Sequence, residues 1–144
     1  MTAPRPFAPA SRHWADLSGP ALTSLLTERS IAVVPIGAIE HHGPHLPLRT
    51  DALVAETIAI AGVERVAAAG IDAWVLPTIS YAKSDEHHWA PGTVWLEGTT
   101  VLDTLVDIGR SIAMTPARTV VFVNGHGGNV MLLGWANREL RRRF

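Results

Sequence analysis

Glu40, His41 and His42 follow directly on an apolar run, Asp51 comes nine residues after His42, and His126 stands among Gly125, Gly127 and Gly128. Imidazole and carboxylate together are the donors that a zinc or manganese ion accepts. The chain has no cysteine, so thiolate ligands, a thiol nucleophile and disulfides are all excluded. In an extended segment side chains alternate between faces, which sends Glu40 and His42 to one side and His41 to the other. Gly43-Pro44 turns the chain, and Asp51 then arrives at the start of a helix, where the helix dipole favours a carboxylate. A carboxylate so placed can bridge two cations roughly 3.5 to 4 Å apart, and such a pair activates water and polarises a carbonyl without a side-chain nucleophile. Glu40, His42, Asp51 and His126 therefore point to metal-dependent amide hydrolysis.

Each residue also has a plainer reading. Asp51 alone is a helix cap, Glu40 a solvated charge at a strand end, and a single histidine an ordinary polar side chain. The glycines around His126 would also suit a phosphate at a helix N-terminus, but no lysine stands beside them and there is no Gly-Lys-Ser/Thr. Convergence of four such groups at two strand ends favours the metal.

The elements that must position them follow from apolar periodicity. Residues 31–36 are β-branched and apolar, bounded by Ser30 and Gly37, and predict a buried strand with Pro35 at an end or bulge. Residues 73–76 and 119–123 predict a second and a third buried strand, and 94–96 a minor edge strand. Between them, helices are predicted over 21–27, 52–69, 99–114 and 130–142. Pro20 suits the first turn of the first, Thr50-Asp51 caps the second, Asn129 caps the fourth, and Gly70 stops the second. The 52–69 helix is apolar nearly all round, which predicts packing on two sides, whereas Val101, Leu102, Leu105, Ile108 and Ile112 make one stripe on the third. Strands alternating with helices predict a mainly parallel sheet in a three-layer α/β/α sandwich. Both clusters then lie outside the carboxyl ends of the strands, where such sheets gather ligands.

Composition bounds the rest. With 144 residues, 47% of them hydrophobic and 17% charged, the chain suits one domain, residues 13–144, after a loose Pro- and Ala-rich lead over 1–12. A net charge of −1 leaves no basic footprint for nucleic acid, and no window suits a membrane span. The expected location is cytoplasmic. Arg141, Arg142 and Arg143 fit a helix C-terminus, and Trp74, Trp95 and Trp135 fit a core or a subunit contact. The sheet is expected to be incomplete at the C-terminus, since three strands fall short of the usual five or six.

Residues 40–48 with Thr50-Asp51, and residues 122–129, resemble the two signature blocks of the creatininase family, and residues 84–93 resemble its Ser-x-Glu-His and Pro-Gly-Thr segment. The resemblance runs from about Trp14 to Leu140. It implies a cytoplasmic, oligomeric, metal-dependent amidohydrolase of α/β/α fold, with Glu40, His42, Asp51 and His126 as metal ligands and Asp51 as the bridge between two zinc or manganese ions. The partner expected is a small-molecule amide, in a homo-oligomer. On the loop after the second strand, Glu86 or His87 is expected to orient substrate or transfer a proton, and Ser84 and Trp89 to contact substrate.

Creatininase itself carries a glutamate ligand two residues after the histidine of its second block, where this chain has Gly128. Other members resemble one another in a later His-Ala-Gly-x-x-Glu-Thr segment, which lies beyond Phe144. The leading expectation is hydrolysis of a non-peptide or cyclic amide. The alternatives are a metallopeptidase in peptide-cofactor maturation and a truncated, non-catalytic binding or assembly module.

Overall fold

A computed structural model describes residues 11–143, so residues 1–10 of the predicted lead lie outside the described residues. Ser11 and Arg12 are held. The Arg12 guanidinium is 2.9 Å from Asp72 Oδ1 and lies over the Trp74 ring, and the Arg12 carbonyl accepts from Val75 N.

The elements run α1 (Gly19–Leu25), β1 (Ile31–Ile36), α2 (Thr50–Ala68), β2 (Ala73–Val75), α3 (Gly98–Ala113), β3 (Thr119–Asn124) and α4 (Val130–Arg143). Among the described residues the sheet is three-stranded and wholly parallel, in the order β2-β1-β3. Residues 94–96 add isolated bridges, Ile39 with Val94 and Ala82 with Trp95, rather than the predicted edge strand.

The central strand alternates as a strand covered on both faces must. Val33 packs with Ala59 and Val63 of α2, together with Ala73 and Val75. Ala32 and Val34 face the other way, onto Trp74, Leu26 and Ile112, with Leu22, Leu25 and Ile108 against them. A third cluster, Ile36, Val101, Leu105, Leu133 and Ala136, joins the sheet to α3 and α4. The result is the expected α/β/α layering, and burying each of its valine, leucine and isoleucine side chains contributes about 1.5–3 kcal/mol. Pro35 is tolerated in this central strand because it faces β2 beyond their last pair, Val33 with Val75, where no ladder partner awaits its missing N–H. Its carbonyl is used, accepting from Ile79 N at 2.9 Å.

Four local expectations are corrected. β3 is an open edge rather than a buried strand, with Thr119, Val121 and Asn124 exposed, because only β1 pairs with it among the described residues. α2 buries a single face, and its apolar Leu53, Val54 and Ile58 are exposed. Asp51 lies inside the first turn of α2 and does not cap it; Arg49 is the N-cap residue, and the Thr50 hydroxyl donates to Pro47 O. Asn129 belongs to a 3-10 turn before α4, and its amide donates to Gly37 O and Asn124 Oδ1 instead of serving as a cap.

Both glycines that leave β1 and β3 press on the first turn of α2. A Cβ on Gly37 would fall on the backbone N and Cα of Ala52, and one on Gly125 would fall on Asp51 O. The absence of side chains thus lets two strand ends close on the residue that carries Asp51. Gly37→Ala is expected to lose at least about 1–3 kcal/mol in urea unfolding, while Gly62→Ala, on the exposed face of α2 with open space around it, is expected to gain up to about 1 kcal/mol.

Candidate metal centre

Beyond β1 the chain runs through Ala38 and Ile39 to Glu40, whose N–H donates to Leu48 O at 2.9 Å and closes the loop 40–48. Glu40 and His42 do share a side: His42 Nε2 is 3.6 Å from Glu40 Oε1. Asp51 meets them from α2 and His126 from the end of β3. One donor atom each of Glu40, Asp51 and His126 lies within 4.8 Å of the others, and all three residues are buried.

Asp51 stands between the imidazoles. Its Oδ1 is 2.9 Å from His42 Nε2 and its Oδ2 is 2.8 Å from His126 Nδ1, while Glu40 Oε1 is 3.3 Å from the same His126 nitrogen. The outer ring nitrogens meet backbone carbonyls, His42 Nδ1 that of Glu40 at 3.1 Å and His126 Nε2 that of Lys83 at 2.6 Å. A carbonyl oxygen only accepts, so these outer nitrogens carry the protons. In the neutral rings the inner nitrogens are then lone pairs aimed at carboxylates.

A cation would stabilise that arrangement. Two carboxylates within 4.8 Å repel by about 3 kcal/mol or more at an effective dielectric of about 20. Glu40 Oε2 is buried with no hydrogen-bond partner, a cost of about 1–3 kcal/mol unless something binds it. Burial opposes charge on His42, but the bond to the Glu40 carbonyl and the nearby Asp51 and Glu40 carboxylates outweigh it and hold its imidazole above the ordinary histidine range. Oxygen and nitrogen donors, ring N–H groups tied back to carbonyls, and an orphaned carboxylate oxygen all fit a divalent zinc or manganese ion.

The loop residues divide. Trp89 is 68% exposed on the rim, with its ring 6.1 Å from that of His41 and 6.4 Å from that of His87. Ser84 is fully buried and its hydroxyl has no partner, so it does not face an open crevice as expected. Glu86 turns one oxygen to Lys83 Nζ at 2.7 Å and the other toward His126 Nε2 at 3.9 Å. Partial burial would raise its carboxyl, but the Lys83 ammonium prevails and holds it below the usual range, which makes Glu86 a weak proton acceptor. Sequence reasoning missed one group and misassigned another. The Lys83 carbonyl orients His126, and backbone groups leave no trace in residue type. Asn129, buried and bonded to Gly37 O at 3.0 Å, ties the two strand exits together; its place in the Asn-Gly-His-Gly-Gly-Asn run was the available signal.

Fold and site together define an α/β protein with a carboxylate and imidazole centre at the carboxyl end of a parallel sheet. A family model described as creatinine amidohydrolase matches residues 15–144, and the chain belongs to the creatininase family. A mycofactocin precursor peptide peptidase of Mycolicibacterium smegmatis is 48% identical over 113 residues, 77% of this chain and 45% of the relative. The creatinine amidohydrolase of Pseudomonas putida is 35% identical over 120 residues, 77% of this chain and 44% of the relative. The chain spans about half the length of these curated relatives. A glutamate-to-glutamine creatininase variant of Zn-Zn type superposes with a TM-score of 0.80 at 29% identity, covering 93% of this chain and 54% of that one. A manganese creatininase gives 0.76 at 30% identity, covering 92% and 53%. Among the described residues no helix is long and apolar enough to cross a membrane.

Asn129→Ala removes the tie to Gly37 O and is expected to cost about 1–3 kcal/mol by chemical denaturation with the helix content unchanged; a change within error would show that the strand exits hold each other without it.

Proposed function

We propose that this chain carries the metal-binding half of a creatininase-type hydrolase, and that the carbon–nitrogen bond it serves is a peptide bond. The observation that carries the reading is the set of inward-facing acceptor atoms on Glu40, His42, Asp51 and His126, with Glu40 Oε2 unpartnered. These four residues would hold a pair of ions, with Asp51 offering one oxygen toward each imidazole. A divalent ion held by these residues would supply Lewis-acid polarisation of a carbonyl and lower the pKa of a bound water to about 7.

The chain's own groups do the rest. Glu40 and Asp51 supply the negative charge that retains cations, and the two backbone carbonyls keep the imidazole lone pairs turned inward. His87, on the same loop as Trp89, is assigned to proton exchange with the leaving amine, and the exposed Trp89 ring offers a face for substrate to pack on. The peptide reading replaces the small cyclic amide as the leading one because the similarity is greater to the peptidase, at 48% identity, than to the creatinine amidohydrolase, at 35%.

The purified protein is expected to retain zinc or manganese by elemental analysis. Peptide hydrolysis is expected to stop on chelation and return when metal is restored. Asp51→Ala and His126→Ala are each expected to lose about 100-fold or more in turnover. Undiminished turnover by metal-stripped protein would sink the reading, and cleavage of creatinine with no cleavage of peptides would restore the small-amide substrate.

A further inference from the structure

Lys83 touches the centre twice without facing it. Its backbone carbonyl accepts from His126 Nε2, and its ammonium is paired with Asp85 Oδ1 at 2.8 Å and Glu86 Oε2 at 2.7 Å. The second Glu86 oxygen is thereby held beside the same ring nitrogen, 3.9 Å away. The segment is anchored at both ends. Leu96 N donates to the carbonyl of buried Ala82 at 2.9 Å, and the turn Asp85–His87 is closed by His87 N on Ser84 O at 3.0 Å.

The space for this arrangement is the missing side chain of Gly128. A Cβ there would lie 2.6 Å from Glu86 Oε1 and 2.7 Å from Lys83 O, and would fall on His126 Nε2 itself. Glu86 is tied by the Lys83 ammonium and the Lys83 carbonyl by His126, so the clash would have to be relieved by moving the loop or His126. Position 128 therefore does not project a ligand into the centre; it makes room for a neighbouring loop behind a ligand.

We propose that residues Lys83 to Glu86 form a positioning bracket for His126, accommodated by Gly128, that fixes the ring with Nδ1 toward Glu40 and Asp51 and strengthens that nitrogen as a donor. The inference rests on the centre being a metal site. The Lys83 carbonyl accepts the hydrogen bond from His126 Nε2–H, and the neighbouring Glu86 carboxylate would stabilise the positive charge on the ring when Nδ1 holds a cation. Lys83 and Glu86 act through His126 and are positioning residues, not catalytic ones.

The test is zinc affinity of the full chain, measured by competition with a chromophoric chelator, alongside thermal unfolding of the metal-stripped proteins. Lys83→Met, Glu86→Gln and Gly128→Ala are each expected to bind zinc about 10- to 100-fold more weakly than wild type. The stripped forms of Lys83→Met and Glu86→Gln are expected to unfold at the wild-type temperature, and Lys83→Arg to recover most of the affinity. If Gly128→Ala fails to fold, the other two variants decide. Wild-type affinity in both Lys83→Met and Glu86→Gln would overturn the bracket and leave the metal reading standing. Absence of zinc binding by the wild-type chain would overturn both.

Discussion

Buried carboxylate and imidazole groups of Glu40, Asp51 and His126 converge on one small volume with His42 at its edge, and concentrating that much negative charge is the constraint the structure has to meet. Glu40 and Asp51 repel each other across it, and the inner nitrogens of His42 and His126 add lone pairs because backbone carbonyls have claimed the outer protons. The rest of the structure supplies the force that assembles these groups in spite of their repulsion. That force is apolar burial at a distance: Val33, Val34, Ile36, Trp74 and Leu105 hold β1, β2 and the flanking helices in place. The order β2-β1-β3 then sets β1 and β3 side by side, so their C-terminal ends emerge together.

Placement of Asp51 is the steric half of the same problem. A carboxylate that serves two imidazoles must arrive between two strand exits, and any Cβ at Gly37 or Gly125 would hold the α2 first turn away. With both positions bare, Asn129 reaches back to Gly37 O and joins the exits. Behind His126 the same economy recurs at Gly128, where a missing side chain admits the Lys83 loop. Two of the three glycines around His126 thus serve close packing, Gly125 against α2 and Gly128 against the Lys83 loop.

Two surfaces of the sandwich are left uncovered among the described residues. β3 lacks a neighbour on its outer edge, and the apolar outer face of α2 has nothing against it among the described residues. The donors from the β1 and β3 exits nevertheless come together within these residues, because every one of them lies on an element of the three-stranded core or in a loop tied to it.

Much of this was legible in residue order. The strand over 31–36 follows from a continuous β-branched apolar run, the alternation that sends Glu40 and His42 to one side from a period of two, and the stripe from Val101 to Ile112 from a period of 3.6. Residue type chose the donors, since without cysteine a metal centre here must be built from imidazole and carboxylate. Burial on one face of α2, the open edge at β3, the retreat of Ser84 into the interior and the hold of Lys83 on His126 could not be read this way. Each depends on which elements lie against which, and on backbone groups that every residue shares. Local periodicity and side-chain chemistry are properties of neighbours along the chain; exposure, close approach and ring orientation are properties of neighbours in space, which exist once the layers have packed.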